Sequence, residues 1–167
     1  MKTITLLACF LFTSLCIAQN DQPQREAFSL KLAVDGEKYY GMEVQKAPYF
    51  VKEKILQIYP GDKLFIETEI KNDTVFSMKV VKENKYPTKT IELEFTQETE
   101  VKEPAYMTLK VKNPFSKILI YDAMLYRVGK DSWSKTSIIP IRPGLTNFET
   151  WPDVIITLVL EQWRFEK

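Results

Sequence analysis

Lys54-Ile55-Leu56-Gln57-Ile58-Tyr59-Pro60-Gly61-Asp62-Lys63-Leu64-Phe65-Ile66-Glu67-Thr68-Glu69-Ile70-Lys71 is the stretch on which the fold turns. Residues 54–59 read as a short strand. Pro60-Gly61 then supplies the fixed φ and the positive φ that the two central positions of a turn require. Past the turn, Leu64, Ile66 and Ile70 are set to one face, and Glu67, Glu69 and Lys71 to the other. A period of two is the strand period, with one face for a core and one for water.

The same reading extends outward in both directions. Phe28, Leu30, Leu32 and Val34 alternate with polar or small residues, and Asp35-Gly36 marks a hairpin to Tyr40, Met42 and Val44. Asn72-Asp73 marks a second tight turn, with Val75 to Val81 returning. Ile91, Leu93 and Phe95, and then Met107, Leu109 and Val111, alternate likewise until Asn113-Pro114 breaks the pattern. Ile118–Val128, Thr136–Ile141 and a last run from Asp153 to about Phe165 complete the set. Phe50 to Ile58 is the one short stretch that also suits a helix.

About nine or ten strands, with turns every 8 to 14 residues, predict an all-β antiparallel sandwich, with a closed barrel as the rival. Two runs, Lys117–Tyr126 and Val154–Leu160, are apolar on both faces. A strand with one wet face should alternate. These two need cover from a loop, from residues 140–152, or from a second subunit.

Ahead of the strands stands an export signal. Lys2 precedes the mostly apolar residues 4–17, and Ala18 precedes a polar run. That order is a secretory signal peptide, and it is shorter than the roughly 20 residues a membrane-spanning helix needs. The expected organisation is a signal peptide at 1–18, a flexible segment at 19–26 and one domain at 27–167. Cys9 and Cys16 both fall inside the signal, in positions that fit a lipoprotein attachment site poorly. The expected location is the periplasm or exterior of a Gram-negative cell, without a lipid anchor.

Processing leaves no histidine and no cysteine. The commonest general base, metal ligand and thiolate nucleophile are therefore absent together. With Lys2 removed, 22 basic residues face 22 acidic ones. A neutral chain without basic blocks has no general attraction for nucleic acid or anionic lipid.

A Ser-His-Asp or Cys-His site is impossible on this inventory. Ser116, Ser132 and Ser134 lie beside or near lysines, and Ser132-Trp133-Ser134-Lys135 has the Ser-x-x-Lys spacing, but loop serines beside solvated lysines account for all three. Glu67, Glu69, Glu92, Glu94, Glu98 and Glu100 could pair as glycosidase acids, yet their spacing of two is what a wet sheet face requires. No Gly-rich phosphate loop and no Asp-x-Asp-x-Asp-Gly calcium loop is present. The expectation is no cofactor, no metal and no enzymatic activity.

Asp122 interrupts an apolar run, so burial would demand hydrogen bonds or a partner charge. Its expected role is to tie the backbone N–H groups of an adjacent loop. The binding candidates are aromatic: Tyr39 and Tyr40 after the first hairpin turn, and Trp133 and Trp151 near loops. Trp151 is expected to open the last strand. Asn72-Asp73-Thr74 also matches a glycosylation pattern, although the turn alone explains Asn and Asp.

The export signal, Tyr59-Pro60-Gly61-Asp62 before an alternating strand, and the late Tyr121-Asp122-Ala123 strand together resemble small secreted bacterial immunoglobulin-like domains. The resemblance is one of layout over most of the processed chain, and the inter-sheet cysteine pair of antibody domains is missing. It implies an immunoglobulin-like sandwich and transfers no functional residue. The expected function is a non-catalytic exported domain that binds an envelope protein or itself. The alternative is a carbohydrate-binding module using Tyr39, Tyr40, Trp133 or Trp151.

Overall fold

The computed structural model describes residues 22–99 and 106–166. The expected signal peptide, Cys9, Cys16, Glu100 and the first residues of the expected flexible segment lie outside these. Fourteen strands follow in chain order. They are β1 (Gln24–Arg25), β2 (Phe28–Asp35), β3 (Lys38–Val44), β4 (Ala47–Pro48), β5 (Phe50–Lys52), β6 (Ile55–Ile58) and β7 (Lys63–Lys71). The rest are β8 (Thr74–Val81), β9 (Thr90–Glu98), β10 (Tyr106–Lys112), β11 (Leu119–Arg127), β12 (Ser134–Thr136), β13 (Thr146–Trp151) and β14 (Ile155–Phe165).

Two five-stranded antiparallel sheets form the body. The first has the order β13-β10-β9-β7-β8 and the second β12-β11-β14-β6-β5. Leu64, Ile66, Ile91, Leu93, Phe95, Met107 and Leu109 from the first meet Leu56, Ile58, Leu119, Leu125, Leu158 and Leu160 from the second in one core. The chain is thus all-β and antiparallel, in the arrangement of a β-sandwich. Each fully buried Leu, Ile or Phe here contributes roughly 1.5–3 kcal/mol.

The deciding stretch folds as its pattern requires. Tyr59-Pro60-Gly61-Asp62 is a turn closed by a 3.0 Å bond from the Asp62 N–H to the Tyr59 carbonyl. Gly61 sits at φ +100°, which a side chain would strain. Thr68, rather than Ile70, takes the last buried place of β7, because a bulge at Glu69/Ile70 shifts the register. At Asn72 and Asp73, φ is +48° and +58°, the paired positive values of a type I′ hairpin.

Several expectations are corrected. Phe50–Ile58 is the β5–β6 hairpin, with Glu53 at φ +30° in its turn, and not a helix. Residues 136–141 hold only the end of β12 and one bridge from Ile141 to Leu119. Trp151 closes β13 opposite Met107 instead of opening the last strand. Segment 19–26 is not free throughout: β1 pairs with β4, and Arg25 is 5% exposed.

The largest difference concerns cover for the double-faced runs. Residues 140–152 supply edge strand β13 rather than a lid. The β2–β3 hairpin joins neither main sheet and packs as a third layer instead. Its Leu30, Leu32 and Val44 bury Ile156, with Phe28, Tyr40, Met42, Tyr59, Tyr126, Val128 and Val154 around them. The second face of β14 is therefore covered from within the chain at Ile156, and not at Val159.

Candidate binding surface

The outer faces of the two sheets differ in kind. On the first, cross-strand neighbours are Glu and Lys: Lys112–Glu92 at 2.9 Å, Lys89–Glu67 at 3.2 Å, and Lys63 and Lys110 on Glu94 at 3.8 and 3.9 Å. The hydrogen bond from Lys112 holds the Glu92 carboxyl below the usual carboxylate range. The glutamates with spacing two at 67, 92 and 94 are thus matched by lysines on a wet face. Opposite charges in register suit such a face.

On the second sheet, register places Met124 beside Val159, Val159 beside Gln57, and Ile120 beside Arg164. Ile120, Met124 and Val159 are half-buried, and the hairpin layer lies at the other end, over Tyr126 and Ile156. A groove of about 300 Å³ runs here, lined by Ile120, Asp122, Met124, Lys135, Glu161 and Arg164. This is an apolar strip with charges of both signs beside it.

Asp122 lies on that rim. It is exposed and accepts an ion pair from Arg164 Nη1 at 2.7 Å, so its expected burial and loop-tying role are corrected. The reason is that nothing among the described residues covers β11 at this point, whereas in β14 the hairpin covers Ile156, five residues before Glu161, the register partner of Asp122.

The four aromatic candidates do not converge. Tyr39 is 58% exposed on the outer side of the hairpin, with the Lys31 ammonium 4.1 Å from its ring centre. Tyr40 turns inward to the hairpin's own cluster. Trp151 packs on the main core and donates its indole N–H to Thr136 Oγ1 at 2.9 Å. Only Trp133 combines an exposed ring, at 41%, with an aromatic neighbour, the Tyr126 ring 5.4 Å away. Beside it, Arg127 bridges Asp153 and Ser134 at 3.2 Å each. Phe76, Tyr86 and Phe148 are also exposed, but each has a lysine over its ring.

Three further residues have defined structural tasks. Arg25 pairs with Asp62 at 2.6 Å, donates to the Gln57 carbonyl at 2.9 Å, and lies between the Tyr49 and Tyr59 rings at 4.5 and 4.8 Å. Burial first, and then the Asp62 charge, push the Tyr49 phenol above its usual pKa. Asn113 is fully buried, donating to the Lys117 and Ile141 carbonyls at 2.7 and 2.8 Å and accepting from the Phe115 N–H. Gln97 grips the main chain of Ala33 with both ends of its amide, at 2.8 Å each. Only Asn113 was signalled, by the proline after it.

Among the described residues, no group of three or more acidic, histidine or cysteine side chains could hold a metal ion. No helix among them is long and apolar enough to cross a membrane. Compared with known protein families, characterised proteins and solved structures, the chain matches none.

Proposed function

We propose that this chain is an exported, immunoglobulin-like, non-catalytic domain that docks an envelope protein or a second copy of itself. The carrying observation is the asymmetry between its outer faces. The first sheet's face is neutralised pair by pair, whereas the second exposes part of Ile120, Met124 and Val159 beside a charged rim. Apolar residues bordered by polar ones are the composition of a partner site. The test is light scattering and crosslinking with the intact chain and with Met124→Arg. The expected result is an oligomer, or a captured envelope protein, that the substitution weakens. A strict monomer that captures nothing refutes the reading.

Trp133 favours a second reading, carbohydrate binding. Its ring and that of Tyr126 offer a stacking surface free of lysine, and Arg127, Asp153 and Ser134 lie beside them for hydroxyl groups. Tryptophan fluorescence against a glycan panel tests it. A response lost in Trp133→Ala supports the reading, and silence across the panel removes it.

A further inference from the structure

We propose that the edge of β2 at Lys31, which no strand among the described residues pairs, is a strand-addition site for an extended polypeptide segment with an acidic residue opposite Lys31. The inference goes beyond the partner-binding reading, since this edge shares no residue with the groove beside Ile120 and Met124. It begins from Gln97, whose amide gives a hydrogen bond to the Ala33 carbonyl and takes one from the Ala33 N–H. That pair of bonds is what the peptide group of a neighbouring strand makes. One residue of a side chain already stands where a third strand of this small sheet would lie.

The alternation of an antiparallel ladder extends the argument. Ala33 directs both main-chain groups away from β3, so Lys31, two residues back in the same register, does so too. Among the described residues, β2 pairs with no strand but β3. A groove of about 430 Å³ follows this edge, lined by Leu30, Lys31, Leu32, Pro60, Thr96 and Gln97. Strand addition draws its affinity from main-chain bonds, which need no special side chains in the receptor.

The charge at this edge selects the occupant. A second β2 laid antiparallel about Lys31 would set Lys31 against itself, and like charges directly opposite destabilise a pair. Edge lysines commonly protect strands from such self-pairing. An acidic residue at that position reverses the sign of the interaction.

The experiment follows amide hydrogen exchange at Lys31 and Ala33 in the full chain, wild type and Gln97→Ala. The probe is a capped peptide, Thr-Val-Thr-Glu-Thr-Val-Thr, at millimolar concentration, beside its analogue with Lys for Glu. Lys31 exchange is expected to slow roughly tenfold with the Glu peptide and less with the Lys peptide. Gln97→Ala should tighten binding severalfold, because no side chain then competes for Ala33. Unchanged Lys31 exchange in both proteins overturns the proposal, as does equal protection by the two peptides. If Met124→Arg weakens oligomer or capture while Lys31 never gains protection, the edge site alone falls and the partner reading stands.

Discussion

Arg25 shows how much one side chain fixes. Its guanidinium meets Asp62, the Gln57 carbonyl and two tyrosine rings at once, and so pins β1 to the turn that precedes β7. The pair is nearly out of water, with side chains 5% and 12% exposed. Removing one member of such a pair strands the other charge. Arg25→Ala is expected to cost about 3 kcal/mol in denaturant unfolding, and Arg25→Lys to recover only part of it, because an ammonium lacks the planar fork and ring stacking. A loss below about 0.5 kcal/mol would place Arg25 among ordinary surface pairs. None of this could be read from residues 19–26, whose polarity reads as a free lead. Composition registers polarity and is blind to a salt-bridge partner 37 positions away.

At the scale of elements, the turns are the most legible parts and the third layer the least. Asn72 and Asp73 hold the left-handed region because their short polar side chains tolerate it. Asn72→Val is therefore expected to destabilise by about 1–2 kcal/mol, and Asn72→Gly to change stability by about 0.5 kcal/mol or less, both measured by thermal unfolding. Equal effects would mean that the hairpin tip does not demand this backbone. The β2–β3 hairpin shows the opposite case. Its alternation and turn were plain, with Gly36 at φ +42° beside the paired Asp35 and Lys38. Its destination was not, since an apolar strand face states that it needs cover and not which surface will supply it. For the same reason Phe50–Ile58, a short apolar run, suited two conformations until pairing with β14 chose one.

For the whole molecule, Glu–Lys pairs line one outer face, and the other carries a half-buried apolar strip beside the Asp122–Arg164 pair. The lowered pKa of Glu92 has a definite sign. A carboxylate whose folded pKa is depressed adds stability that is complete above its unfolded pKa and is lost as pH falls through the folded value. Stability should thus hold down to about pH 5 and decline below it, with a shallower decline in Glu92→Gln. Circular dichroism melts between neutral and strongly acidic pH check this, and identical acid slopes would contradict it. Chain order alone sets the strand periods, the turn positions, the wet glutamate face and the missing histidine chemistry, because these follow from composition and from neighbours in the chain. Folding in three dimensions alone sets the hairpin over Ile156, Asp122 at an exposed rim, and Gln97 against Ala33 at one point of the β2 edge. Those are contacts between residues far apart in sequence, and a one-dimensional pattern states which surfaces want burial without saying which of them meet.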